Sequence, residues 1–441
     1  MRRWMRTTGL ACVLCVAAGL CINLAVRADD GPAPAAADPD ANPPLDAIDE
    51  SAAALVPPKP AGAIRFATFN ASLNRPTDGE LARDLAGGEN EQARKIAQII
   101  QIVHPDVILI NEFDRVSMDS RRNSPRASLL MLHEYLLQPQ TGHEPIAIPM
   151  LVDPPVNTGR IASVDLNNDG KISLPEDALG FGRFPGQYGL LMLSRFPVAF
   201  AKQRTFRNLR WLAMPDHLMP TDYYSPAAQE VLRLSSKTHA DVPVIVDGRI
   251  IHVLISHPTP PAFDGPEDRN GRRNHDEIRF WADYVSGDPD RCQYIIDDEG
   301  QRGGLTARDY FVILGDLNAD PHDGASRPGT MQQLFDSPRV SESFAKIIPQ
   351  SLGAIEAAAK QAGANAAQTG PASHDTADFS DAPPGNKASG GPGNLRVDYV
   401  IPSRGLTILQ AGVFWPTSDN PLHKLIDASD HRLVWVDVKF E

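Results

Sequence analysis

Apolar residues in this chain fall in short blocks separated by polar, Gly- and Pro-rich stretches, with few long helical stripes. Ile64–Phe69 alternates and is rich in β-formers, which predicts a strand. Glu91–Val103 places Ile96, Ile99, Ile100 and Val103 on one helical face and stops before Pro105. Val107–Ile110 reads as a buried strand, and Tyr188–Leu193 and Pro197–Phe200 as two more. Val244–Val246 and Ile250–Ile255 flank Asp247-Gly248, a strong hairpin signal. Asn274–Val285 predicts a helix with Asn274 as N-cap, Glu277 closing a capping box, and Ile278, Trp281 and Val285 facing inward. Phe311–Leu314, Arg396–Ile401 and Leu433–Val438 complete the strands. Strands with helices between them predict an α/β layered sandwich in one large domain, residues 63–441.

Two stretches break the pattern. Residues 29–62 are Ala, Pro and Asp with no period, the composition of a disordered spacer. Residues 351–394 are Ala-rich, then Gly/Pro-rich, and predict a short helix and a long loop inserted in the domain. Ahead of the spacer, Arg2, Arg3 and Arg6 precede an apolar run from Leu10 to Val26, with Ala28 at its exit. This is the pattern of a signal peptide at 1–28, cut after Ala28, and it predicts a secreted or periplasmic protein.

Composition narrows the class. With 42% hydrophobic and 22% charged residues the chain is globular, which excludes collagen, wholesale disorder and a polytopic membrane protein. The formal charge is −13, and residues 1–28 carry four Arg and no acid, so cleavage takes it to −17. Avid non-specific DNA binding needs a cationic surface, so any nucleic-acid contact must be local. Of the four Cys, Cys12, Cys15 and Cys21 would leave with the signal, and Cys292 alone cannot form an internal disulfide.

The candidate chemistry sits where the strands stop. Asn70 closes the first, Asn111-Glu112 the second, His257 follows Ile250–Ser256, and Asp316-Leu317-Asn318 follows Phe311–Leu314. Asp398 lies within Arg396–Ile401, and Asp430-His431 opens the last strand. Buried charge is costly unless paired or metal-bound, so six such ends imply one shared polar pocket. Glu112 and Asp430 are hard oxygen ligands suited to Mg²⁺ or Mn²⁺. Asp316 suits orienting or deprotonating water, and Asn70 and Asn318 suit donation to phosphoryl oxygens. A His431–Asp398 pair would keep the imidazole protonated, and His257 suits protonation of a leaving oxygen.

The series Phe69-Asn70, Asn111-Glu112, Tyr188–Pro197, Ser256–Pro261, Gly315–Asn318, Arg396–Val400 and Ser429–Val434 resembles the endonuclease/exonuclease/phosphatase superfamily in residue type and order. The resemblance covers about residues 64–440 and implies a four-layered α/β sandwich with two central mixed β-sheets, as in DNase I-like members. It implies His257, Asp316, Asn318, Asp398 and His431 as catalytic residues, and Glu112, Asp430 and Asn70 at the metal. Some members carry an Asp two residues after the first Asn, where this chain has Ser72. The expected activity is water attack on a phosphate ester of a nucleic acid, a phospholipid head group or a soluble compound, by a monomer with no protein partner implied. The rival reading is a non-catalytic secreted calcium-binding module on the same fold.

The calcium element is independent. Asp165, Asn167, Asp169, Gly170, Lys171 and Glu176 match the twelve-residue EF-hand loop, with the side chains of Asp165, Asn167, Asp169 and Glu176 and the Lys171 carbonyl as ligands for Ca²⁺. Pro154-Pro155 and Pro175 leave no flanking helices, which predicts an isolated structural loop at 165–176.

Overall fold

The computed structural model describes residues 55–115, 126–361, 363–381 and 391–441. The predicted signal peptide and residues 29–54 of the spacer lie outside these. Among the described residues no helix is long and apolar enough to cross a membrane.

Thirteen described strands are assigned: β1 Ile64–Asn70, β2 Val107–Asn111, β3 Met150–Val152, β4 Leu190–Ser194, β5 Arg204–Thr205, β6 His239–Val246, β7 Arg249–Ser256, β8 Tyr310–Asp316, β9 Ala377–Asp381, β10 Pro392–Leu395, β11 Asp398–Pro402, β12 Leu406–Val413 and β13 Val434–Phe440. One sheet runs β12-β13-β1-β2-β4-β3 and a second β11-β8-β7-β6-β5. Each is mixed, with β1–β2 parallel in the first and β7–β8 parallel in the second. Strand alternation sorts side chains between two interfaces. Phe66, Val107, Leu109 and Met192 turn toward the second sheet and share a core with Val253, Ile255, Phe311 and Ile313. Ala67, Phe69, Ile108 and Ile110 turn outward onto helix α1, Glu91–Val103. Asn90 caps α1 by accepting from the Ala93 amide, and His104 ends it in the left-handed region before Pro105. The second sheet is covered by α2, Arg269–Tyr284, whose Phe280 and Trp281 rings lie 4.8 and 5.0 Å from His239. Helix, sheet, sheet and helix give the expected four layers.

Several sequence expectations change. Residues 55–62 are packed rather than disordered: Leu55 is buried, Lys59 pairs with Asp106, and the Pro57 carbonyl accepts from Arg65. Pro197–Phe200 forms no strand beyond a single bridge of Val198 to Val244, and a short 3₁₀ turn starts at Phe200. Arg396 and Val397 separate β10 from β11, because the Arg396 amide turns aside to Asp320 Oδ2 at 2.7 Å. The 351–394 insert contains a helix, α3 (Leu352–Gln361), and a β9–β10 pair that the sequence did not suggest; residues 382–390 of its expected loop lie outside the described residues. The pair forms because neighbouring backbone is available: Asp378 N donates to Asp430 O at 2.7 Å and Arg432 N to Thr376 O at 2.7 Å.

Helix α2 differs most usefully. It begins at Arg269, so Asn274 and Glu277 lie inside it and form no capping box. Burial gives them longer-range work. Asn274 Nδ2 donates to the carbonyls of Thr259 (2.8 Å) and Leu317 (2.9 Å). Glu277 accepts from the amides of Ser236 (2.7 Å) and Thr259 (2.6 Å). One helical turn thus ties down the segments that follow β7 and β8 and precede β6. Removing Glu277 strands two buried amides, at about 1–3 kcal/mol each. Urea denaturation of Glu277→Ala should show about 3 kcal/mol lost; a loss under about 1 kcal/mol would mean these segments are held by other contacts.

Candidate active site

The two sheets present their polar ends at the same edge. In the first, Asn70 pairs in register with Asn111; in the second, Asp398 pairs with Asp316. Strand parity turns Asn70 and Asn111 to the inter-sheet face, where Asn111 Nδ2 reaches Ser256 O at 3.2 Å.

Asp316 is the centre, at 1% exposure. Its Oδ2 accepts from Asn70 Nδ2 at 3.0 Å and lies 3.3 Å from His257 Nε2 and 3.7 Å from His431 Nε2. Its Oδ1 accepts from the Asn318 amide at 2.8 Å. Behind His431, Asp398 Oδ2 is 2.9 Å from Nδ1 and also accepts from Thr376 Oγ1 at 2.8 Å. The structure therefore gathers Asn70, His257, Asp316, Asn318, Asp398 and His431 in one constellation. Asn318 sits at φ 51° and sends Nδ2 to Pro258 O at 3.1 Å, tying the β8 end to the His257 turn.

Charge follows from burial and pairing. Burial alone would lower the His431 pKa, but the Asp398 and Asp316 charges and the Asp398 hydrogen bond outweigh it, to about 10. His431 is an imidazolium with a donor aimed at each carboxylate. Burial pushes Asp316 up, to about 6, against the pull of His431. His257 differs: burial, then the nearby cations Lys237 and His431, hold it well below the ordinary range. Its Nδ1 is buried without a partner among the described residues, and its Nε2 faces Asp316 Oδ2 at 3.3 Å.

Glu112 follows β2 with φ 57°, in the left-handed region that non-glycine residues seldom occupy. That turn brings its carboxylate back into the pocket, where Asn74 Nδ2 donates to Oε2 at 2.8 Å. Burial pushes its pKa up, opposed by His431 and an Asn70 hydrogen bond. Asp430 lies apart from these buried groups, exposed at the rim and accepting from Ser72 Oγ at 3.0 Å. Ser72, where a second acid was sought, is thus a link between rim segments.

Two buried carboxylates beside half-buried Glu112, with Asp398 Oδ1 unpartnered among the described residues, are the donor chemistry that attracts a divalent cation. Among the described residues, Asp316, Asp398 and His431 bring ligand atoms within 4.8 Å of one another. A protonated imidazolium has no lone pair to give, so the hard oxygens of Glu112 and Asn70 fit the cation better than this trio. Sequence reading missed Thr376, Asn74 and Phe379, whose ring packs edge-on at 5.1 Å from His431. Thr376 and Phe379 come from the low-complexity insert, which carries no motif.

The 165–176 segment has its own closure. Asp165 accepts from the amides of Asn168 (2.7 Å) and Gly170 (2.8 Å), Asn167 from Asp169 (3.2 Å), and Asp169 from Lys171 (2.8 Å). Glu176 is exposed, and buried Asp177 closes the loop by accepting from Leu166 N (2.6 Å) and Ser173 N (2.8 Å).

Two mixed sheets meeting at a pocket of carboxylates, amides and an imidazolium define a metal-dependent hydrolase of phosphoric esters. Residues 67–431 match the profile of the Endonuclease/Exonuclease/phosphatase family, and the chain belongs to that family. The chain is similar to an endonuclease/exonuclease/phosphatase from Beutenbergia cavernae DSM 12333, at 16% identity over 86% of this chain and 72% of that one, with TM-score 0.46. It is also similar to sphingomyelinase C from Streptomyces griseocarneus (13% identity, 85% and 99% covered, TM-score 0.41). A mannosyl-6-phosphatase from Bacteroides thetaiotaomicron VPI-5482 is a third (12% identity, 86% and 100% covered, TM-score 0.40). A search of curated proteins finds no match.

The pairing fixes an expected titration. In the metal-free protein, nitrogen-15 NMR should find His431 protonated on both nitrogens at pH 8 and losing its proton near pH 10. Asp398→Asn removes the charge that raises it, so the transition should move to lower pH. An unmoved transition would mean Asp398 does not set the imidazole's charge.

Proposed function

We propose that this protein is an exported, Mg²⁺- or Mn²⁺-dependent phosphoesterase that hydrolyses its substrate by in-line attack of water. The observation that carries the reading is Asp316 Oδ2, ringed by Asn70, His257 and His431, with Asp398 behind the imidazolium. Asp316, raised by burial, takes the proton from the attacking water. Asn70 and Asn318 hold the phosphoryl oxygens through their amides, and His431 donates to the charge that grows on them. His257, neutral, orients Asp316 through Nε2. Glu112 and Asn70, with Asp430 at the rim, would hold a divalent cation, which would supply polarisation of the ester and stabilisation of the leaving oxygen.

The substrate is a phosphate ester of a nucleic acid, a phospholipid head group or a soluble compound. The formal charge of −13 favours substrates that need no extended cationic groove. The N-terminal pattern Arg2, Arg3, Arg6, the apolar run and Ala28 supports export. The match of Asp165–Glu176 to the twelve-residue loop, with Asn168 and Gly170 both at positive φ, supports Ca²⁺ there as a stabilising ion separate from catalysis.

Turnover should be tested on a panel of plasmid, sphingomyelin, inositol phosphates and bis-p-nitrophenyl phosphate. Asp316→Asn and His431→Ala should each lose roughly a thousandfold, and Glu112→Gln should raise the metal concentration needed for half-maximal rate. Activity that survives EDTA unchanged, or near-wild-type turnover by Asp316→Asn, would refute the reading. For the loop, millimolar Ca²⁺ at constant Mg²⁺ should raise the melting temperature of wild type but not of Asp165→Ala/Glu176→Gln. An equal rise in both would place the calcium elsewhere.

A further inference from the structure

Lys237 has no role in any sequence motif, yet it is one of the most constrained cations in the molecule. It precedes β6, between Ser236, whose amide is held by Glu277, and His239. It is 8% exposed. Its ammonium has three donors and makes one long hydrogen bond, from Nζ to Pro258 O at 3.4 Å. Among the described residues no carboxylate pairs with it directly. The nearest acid by charge, Glu277, already spends both oxygens on backbone amides.

A buried ammonium with donors to spare is costly unless something anionic completes it. Its position says what that is. Pro258 O, which Lys237 touches, also accepts from Asn318 Nδ2 at 3.1 Å, so the two donors converge on one point beside His257. Lys237 also feels the charges of Glu112 and Asp316, two acids of the same pocket. Burial pushes its pKa down and those acids push it back up.

We propose that Lys237 is a catalytic residue of the phosphoesterase site, donating from its ammonium to a non-bridging phosphoryl oxygen beside Asn318. The inference rests on the functional reading above. The anion completes the ammonium's donor set, and the ammonium offsets charge that grows at phosphorus, which neutral amides do less well.

The test uses the metal-loaded full chain as wild type, Lys237→Met and Lys237→Gln. Three quantities are measured: binding of inorganic phosphate by calorimetry, kcat/KM on an ester the wild type hydrolyses, and melting temperature. Phosphate binding should weaken at least about tenfold in both variants, and kcat/KM should fall roughly 10²–10³-fold. Melting should stay level or rise, because a hydrophobe replacing an unpaired buried charge is neutral or stabilising. A structural lysine would give the reverse: lower melting with phosphate binding unmoved. Phosphate binding equal to wild type overturns the inference, as does loss of the fold in both variants or no phosphate binding by wild type. A wild type that binds phosphate through Lys237 but hydrolyses no ester of the panel would refute the phosphoesterase reading alone.

Discussion

A carboxylate buried at the seam of two sheets must be matched by donors, and for Asp316 those donors come from both sides. Asn70 Nδ2 comes from the first sheet and the Asn318 amide from the end of the second, with His431 and His257 facing the same carboxylate at 3.7 and 3.3 Å. Each alone is a strand end with a polar residue. Together they fix the spacing between the sheets at the edge where chemistry can occur. The apolar contacts of Phe66 and Leu109 with Val253 and Ile313 hold the sheets face to face without direction. The Asp316 cluster supplies direction, since hydrogen bonds fail steeply when donors are misplaced.

The supports of this cluster are distributed by sequence but local in space. Helix α2 holds three site segments through Asn274 and Glu277, side chains that the end of a shorter helix could not have placed. The insert hairpin does the same from the opposite side: Thr376 fixes Asp398, and Phe379 packs on His431. Both supports act on residues already paired, so the imidazolium has little room to rotate away from Asp316.

Electrostatics explains why the pocket is reactive rather than merely satisfied. Glu112, Asp316 and Asp398 bring more negative charge than His431 and Lys237 offset, and one Asp398 oxygen has no partner. A divalent cation would complete this arrangement at rest, and an anionic ester in use. Burial first, and then the positive charges of Lys237 and His431, hold His257 well below the ordinary imidazole range.

The strand ends were legible because a buried strand that stops in Asn, Glu, Asp or His has few structural explanations, and six such ends recur along the chain. The hairpin at Asp247-Gly248 was legible too: both residues sit at positive φ, 50° and 76°, as the two-residue turn requires. What sequence could not give were contacts made at long range. Asn274 and Glu277 have the spacing of a capping box, and only the position of α2 against two loops shows them serving those loops instead. Thr376 lies in a stretch whose composition reads as a loop, and it became strand-adjacent because Asp430 and Arg432 offered backbone partners. Lys237 carries no periodic or motif signal, since a buried cation is recognised by what surrounds it. Local chemistry, written in residue types and short spacings, was fixed by the chain itself; partnership between distant groups was decided when the two sheets closed on each other, because burial is what makes an unmatched charge costly.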